Sequence, residues 1–458
     1  MIPNRRFSGL RTDLYELTMA AGYFQHKFDA TATFELFVRH LPRNRNYFVA
    51  AGLEQALDYL ENVQFSAEEV AYLRGLPVFR NVHSGFFDYL ARFRFSGDVW
   101  AMPEGAIFFP GEPLLRLTAP IAEAQLLETS LLSILHFQTL IASKAARVTA
   151  AAAGRPVVEF GSRRAHGIQA GVLAARAAFI AGCTGTSNAY AGYCFGIPVY
   201  GTQAHSWVMA HEDESKAFSD FLDVFPEAAL LVDTYDVREA IEKIIALGRK
   251  PNSVRIDSGD VLAESIWTRK RLDEAGWRDV QIFVSGDLDE NRIESLLESG
   301  APIDAFGVGT ALSTSADAPH IGVIYKLVEI RNDHLARVTA KFSAEKKTYP
   351  GRKQVFRFTG ADQCYSGDVI ALDGEEFPGG APLLVPVMRN GRRIEGSARI
   401  SGTAVQAAQA RFFEDRKRLP SRLLGTAPDD SAYPVSYSAR LEELCEETRL
   451  RFMKTART

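Results

Sequence analysis

The chain has 458 residues, too many for one simple core, so two domains sharing a large buried interior are expected. Hydrophobic residues make up 47% of it and charged residues 24%, the balance of a soluble globular protein rather than a disordered or membrane-spanning one. A net charge of −4 disfavours non-specific nucleic-acid binding, so any anionic substrate must be held by locally placed Arg and Lys.

The opening residues, MIPNRRFSGLRTDLYELTMAAGYF, lack the apolar run and small-residue cleavage site of a signal peptide. Asp13 and Glu16 have the spacing of a capping box, and Leu14, Leu17, Ala21 and Phe24 fall on one helical face. Tyr15 stands off that stripe, free to be partly exposed or to reach a ligand. Residues 33–39 alternate, with Phe34, Leu36 and Val38 on one side, as in a half-buried strand. Arg39, His40, Arg43 and Arg45 then cluster around a Pro-Asn loop, a pattern open to both a solvated face and an anion site. A helix is expected over residues 50–60, followed by mixed strands to about residue 117. The most apolar helix, over 126–146, is interrupted by Glu128, His136, Gln138 and Lys144, so it belongs in a core or a subunit interface and not in a membrane. Four scattered cysteines, Cys183, Cys194, Cys364 and Cys445, form no CxxC pair and no zinc spacing, the pattern of reduced thiols in a cytoplasmic protein.

From Val157 the organisation changes to short apolar runs, each ending in polar or glycine-rich residues. Val157-Val158 leads to Glu159-Phe160-Gly161-Ser162-Arg163-Arg164, Phe179-Ile180 to residues 184–188, and Val199-Tyr200 to Gln203 and His205. Leu230-Leu231-Val232 leads to Asp233 and Asp236, Val254-Arg255-Ile256 to Asp257 and Asp260, and Ile282-Phe283-Val284 to Asp287. Ala305-Phe306 leads to Gly307-Val308-Gly309-Thr310, and residues 324–328 complete the set. Helix-length stretches separate most of them. Strand, polar tip and helix in repetition predict an irregular parallel α/β barrel of the TIM type, in which all the tips share one face. A doubly wound open sheet is the alternative, since strand spacing does not reveal closure. The barrel is assigned to residues 119–331. Residues 1–118 and 332–458, which carry two charged helices over 402–418 and 438–453, are expected to form a second α/β sandwich domain.

The tips supply carboxylates, arginines, one histidine and two glycine-rich loops. Gly307, Gly309 and Thr310 would present backbone amides to a phosphate after the seventh strand. Asp257 and Asp287 suit ribose hydroxyls or water-held Mg²⁺, whereas Asp236 and Asp260 are placed equally well to cap the helices that follow them. There is no GxxxxGKS loop, dinucleotide fingerprint or HExxH, which leaves a site for a phosphorylated sugar and a small anionic or aromatic group.

These motifs resemble those of nicotinate phosphoribosyltransferases. The likeness is carried by TDLYELTM (12–19), EFGSRR (159–164), GTSNAYAGYCFGIPVYGTQAHSW (185–207), LVDTYD (231–236), VRIDSGD (254–260), VSGD (284–287), FGVGT (306–310) and YPGRKQVFR (349–357). Ser162 departs from the apolar residue expected there. The resemblance implies a distorted α/β barrel beside an α/β sandwich and a homodimer with sites between subunits. It also implies transfer of phosphoribosyl from phosphoribosyl pyrophosphate to nicotinate, coupled to ATP hydrolysis, with Mg²⁺ carried by the substrate phosphates and no tightly bound organic cofactor.

On that resemblance, Phe160 and Tyr15 of the partner subunit would stack on the nicotinate ring, and Arg163 and Arg255 would meet its carboxylate. Asp257 would orient Arg255, Asp287 would hold the ribose hydroxyls, and Gly307, Gly309 and Thr310 the 5′-phosphate. Arg39, Lys347 and Lys353 are weaker candidates for the pyrophosphate. Ser187 stands where similar nicotinamide enzymes carry an aspartate, and a neutral residue there favours the acid. His205 matches the histidine that the family phosphorylates from ATP. Quinolinate phosphoribosyl transfer and a non-catalytic nucleotide sensor are the competing expectations.

Overall fold

The structure is a computed structural model that describes residues 7–332, 335–343, 347–394, 402–429 and 431–455. Six parallel strands form one curved sheet in the order Gly185–Thr186, Val157–Glu159, Ala305–Val308, Gln281–Val284, Ser253–Ile256 and Ala229–Leu231. Alternation along these strands sorts their side chains. Val254, Ile256, Ile282 and Val284 are fully buried against the outer helices. Arg255 and Phe283, which pair across the sheet, occupy the opposite face. The helices begin where expected: Asp236, Asp260 and Asp289 each accept a backbone N–H three residues on, at 2.9, 3.1 and 2.8 Å.

Three of the eight expected runs are used differently. Phe179-Ile180 closes the helix Ile168–Ile180, and the strand is Gly185–Thr186 instead. Val199 makes only an isolated bridge to Thr186. Residues 324–328 lie in Val323–Asn332, which pairs antiparallel with Thr31–Val38 in another sheet. The parallel sheet is therefore a half-barrel, and side chains span its open seam.

Both chain ends build the sandwich. Its seven-stranded sheet runs Leu335–Val338, Val323–Asn332, Thr31–Val38, Pro113–Pro120, Asp98–Ala101, Val385–Arg389, Arg392–Arg393. A four-stranded sheet, Ala381–Pro382, Lys353–Thr359, Tyr365–Leu372 and Val435–Tyr437, adds Val355 and Ile370 to the same core. The helix Gly402–Lys417 instead packs on the barrel, sending Val405, Ala408 and Phe412 into its core.

The helix Glu128–Ala151 joins the two cores: Leu131, Leu135 and Leu140 enter one, while Ile141, Ala145 and Val148 enter the other. Among the described residues no helix is long and apolar enough to cross a membrane. None of the four cysteines is disulfide-bonded. The capping box expected at Asp13 is absent: Asp13 makes no side-chain cap bond, and Glu16 accepts from the Thr12 and Thr129 hydroxyls, turning inward to the neighbouring helix.

Candidate active site

At the carboxyl ends of the parallel strands, Arg255 is the hub. Its guanidinium donates to Ser285 Oγ at 2.7 Å, Thr202 Oγ1 at 2.8 Å and Asp257 Oδ1 at 2.6 Å. The Thr202 bond crosses the open seam of the sheet, and so does the 3.2 Å contact of His205 Nδ1 with Thr234 Oγ1. Asp257 is fixed in turn by the Ser285 hydroxyl, which donates to Oδ1 at 2.5 Å. Burial alone would raise the Asp257 carboxyl, but that hydroxyl and the Arg255 guanidinium outweigh it, with His205 adding charge, and hold it below the usual carboxylate range. Its other oxygen lies 3.9 Å from His205 Nε2. The imidazole is 42% exposed.

Phe160 forms the wall of the mouth. The Arg255 guanidinium carbon stands 5.5 Å from its ring centre, and Phe283 lies 5.5 Å away on another strand. Gly307 is required beneath this ring: a Cβ there would sit 2.8 Å from Phe160 and 2.9 Å from Phe283. Gly286 has φ +83°, and a Cβ there would meet the Asp257 carbonyl at 1.7 Å, so the loop bearing Asp287 is pressed onto Asp257. Asp287 itself holds φ +45° and is exposed. Gly309 lies against the Phe160 carbonyl and opens the short helix Thr310–Ser313, whose first amides have no partner within the helix. Phe160, His205, Arg255, Asp257, Asp287, Gly307, Gly309 and Thr310 therefore share one mouth.

Glu159, fully buried, accepts from Thr186 Oγ1 at 2.6 Å and from the Gly161 amide, while its own carbonyl accepts from Ser187 N at 2.9 Å. Burial pushes its carboxyl up, opposed by those two donors. The two adjoining tips are thus one unit. Ser162 completes the link: its hydroxyl accepts from Asn188 Nδ2 at 2.9 Å, which gives the unexpected serine a structural use. Ser187 and Arg163 are both exposed at this end of the sheet.

Other expected residues lie elsewhere. Tyr15 is 47% exposed on the sandwich helix Leu14–Gln25 and bonds Glu128, with no contact to the mouth among the described residues. Arg39 follows the strand Thr31–Val38, where its amide bonds Gly322. Lys347 is exposed on the sandwich, 4.8 Å from the Tyr349 ring. Lys353 is not a free cation: it is buried, and its ammonium is taken up by Glu35 at 2.7 Å and two backbone carbonyls. Asp236 and Asp260 are committed to helix caps. Thr202 and Ser285 were missed as site residues, although both sit inside the GTQAH and VSGD motifs. Asp233 orders the Asp257 loop by accepting from the Asp257 amide and Ser258 Oγ.

Residues 10–136 match the nicotinate phosphoribosyltransferase (NAPRTase) N-terminal domain, and residues 156–348 match the nicotinate phosphoribosyltransferase (NAPRTase) family. The chain is 46% identical to nicotinate phosphoribosyltransferase pncB2 of Mycobacterium tuberculosis, over 100% of this chain and 96% of that protein. It is 44% identical to nicotinate phosphoribosyltransferase of Bacillus subtilis, over 80% of this chain and 76% of that protein. Human nicotinic acid phosphoribosyltransferase has a similar crystal structure, with a TM-score of 0.82 and 26% identity over 95% of this chain and 99% of the human one. With near-complete coverage at this identity and the motif residues gathered at one mouth, the chain belongs to the nicotinate phosphoribosyltransferase family and acts in NAD biosynthesis.

Proposed function

We propose that the chain transfers phosphoribosyl from phosphoribosyl pyrophosphate to nicotinate at this mouth, with ATP hydrolysis coupled through phosphorylation of His205. The observation that carries the assignment of roles is a cation beside an aromatic plate, Arg255 against Phe160, braced by Asp257 and facing a glycine cradle. Phe160 stacks on the pyridine ring, and Arg255 and Arg163 receive the carboxylate. The pyridine nitrogen already carries a lone pair, so no general base is needed. That nitrogen bonds to the anomeric carbon while the carbon–oxygen bond to pyrophosphate breaks, and the electron pair leaves with pyrophosphate. The protein's part is orientation and charge stabilisation.

Asp287 holds the ribose hydroxyls, and the amides around Gly307, Gly309 and Thr310 hold the 5′-phosphate. Mg²⁺ would arrive on the substrate phosphates and neutralise the pyrophosphate charge, while Asp257 is committed to Arg255. Arg39 and Lys347 remain candidates for the pyrophosphate, and the exposed Tyr15 from the second copy of a homodimer would stack on the nicotinate ring with Phe160. In the coupling step a His205 nitrogen bonds to the γ-phosphorus of ATP and ADP leaves; water later cleaves the phosphoramidate. Ser187, being neutral, spares nicotinate a like-charge contact that would cost several kcal/mol.

The test is turnover with phosphoribosyl pyrophosphate, Mg²⁺ and each of nicotinate, nicotinamide and quinolinate. Mononucleotide from nicotinate, stimulated by ATP, is expected. Preference for quinolinate with release of carbon dioxide, or no product from any acceptor, overturns the assignment.

A further inference from the structure

The buried ammonium of Lys144 is 1% exposed on the helix that joins the two cores. It bonds Glu290 Oε2 at 2.5 Å and Asp317 Oδ1 at 2.8 Å. Those carboxylates belong to different loops of the half-barrel. Glu290 begins the helix three residues after Asp287, and Asp317 follows the helix opened by Gly309. Each carboxylate also has an arginine: Arg147 Nε meets Glu290 at 2.9 Å, and Arg45 Nη1 meets Asp317 at 2.6 Å. Arg45 also donates to Ser315 Oγ at 3.1 Å, where the backbone is held at φ +46°.

We infer that Lys144 is a positioning residue for phosphoribosyl binding, fixing the distance between the loop that carries Asp287 and the loop that carries Gly309. It touches no substrate. The inference rests on the proposed roles of Asp287 and Gly309, and adds the element that sets their spacing. Among the described residues Lys144 is the one side chain that bonds both carboxylates; without it each remains paired with its own arginine, but the ionic bridge between the two loops is lost. The ribose hydroxyls and the 5′-phosphate are joined by a short covalent tether in one molecule, so a change in loop spacing should fall on phosphoribosyl pyrophosphate. Nicotinate rests on Phe160 and Arg255, from other strands, and should be spared.

The test is Lys144→Met, assayed beside the wild type for KM of each substrate, with Lys144→Arg as the conservative variant and melting temperatures recorded. KM for phosphoribosyl pyrophosphate should rise about tenfold to a hundredfold, with KM for nicotinate within about twofold, and Lys144→Arg should recover most of the loss. If Lys144→Met does not fold, the Lys144→Met/Glu290→Gln pair, which removes one buried charge of each sign, replaces it. Equal change in both KM values, or a lowered melting temperature with both KM values unchanged, overturns the inference. An inactive wild type overturns the functional assignment instead.

Discussion

The Arg255 guanidinium lies 5.5 Å from the Phe160 ring centre while its Nη2 donates to Asp257 at 2.6 Å. An arginine held this way keeps its charge and its planar fork aimed along the face of an aromatic plate, an arrangement lysine does not reproduce. Arg255→Lys should therefore raise KM for nicotinate about tenfold to a hundredfold, the worth of about 1.5–3 kcal/mol for hydrogen bonds to a charged group. KM for phosphoribosyl pyrophosphate should change little. Steady-state kinetics with both substrates varied, beside a melting curve, decides; equal losses for the two substrates would remove Arg255 from the acceptor side.

Gly307 supports the same ring from below. Gly307→Ala places a methyl 2.8 Å from Phe160, and neither Phe160 nor Phe283 has space to give without moving the other. A cost of about 1–3 kcal/mol in stability is expected from overpacking, together with weaker nicotinate binding as the ring is displaced. Denaturant unfolding and nicotinate KM measure the two effects. A variant with unchanged values for both would show that the ring is not constrained by the strand beneath it.

His205 is open to solvent yet tied to Thr234 and close to Asp257. His205→Ala should abolish ATP hydrolysis and ATP stimulation while leaving slow ATP-independent mononucleotide formation. Radiolabel transfer from γ-labelled ATP to the wild-type chain, absent in the variant, is the matching measurement; full ATP coupling in the variant would sink the phosphohistidine.

A pH dependence arises away from the site. Glu54 is buried, with Arg176 at 3.6 Å and Glu104 nearby, and burial moves its carboxyl up from 4.5 to about 7 despite the attraction of Arg176. The folded state thus holds a proton that the unfolded chain releases between about pH 4.5 and 7. Its contribution is complete below the unfolded value and is lost as pH rises through 7. Glu54→Gln should gain stability relative to wild type as pH rises from about 5 to 7, with the difference levelling off above that. Melting temperatures of both chains across that window show it, and parallel curves would mean that Arg176 keeps Glu54 ionised throughout.

The mouth was legible because strand tips announce themselves: Asp257, Asp287 and the Gly307–Thr310 loop stand at the ends of short apolar runs that become parallel strands, and Arg255 lies within one of them. Phe179-Ile180 deceived because a short apolar run is the same in a buried helix end as in a strand, and the alanine-rich stretch before it chose helix. Residues 324–328 formed a strand but joined the sandwich, since spacing along the chain does not say which sheet a strand enters. Lys353 read as a loop cation in a basic stretch. Its partner, Glu35, lies 318 residues away, and no local pattern reveals a pairing across that separation. Lys144 was legible only as an interruption in an apolar helix; its two carboxylates emerge with the fold.

A crystal structure of the enzyme with nicotinate mononucleotide tests the central claim most directly. The pyridine ring should lie on Phe160 with its carboxylate on Arg255, the ribose hydroxyls at Asp287, and the phosphate on the amides around Gly309. A mononucleotide bound with its phosphate at Arg255, or at any surface that leaves Phe160 uncovered, would contradict it.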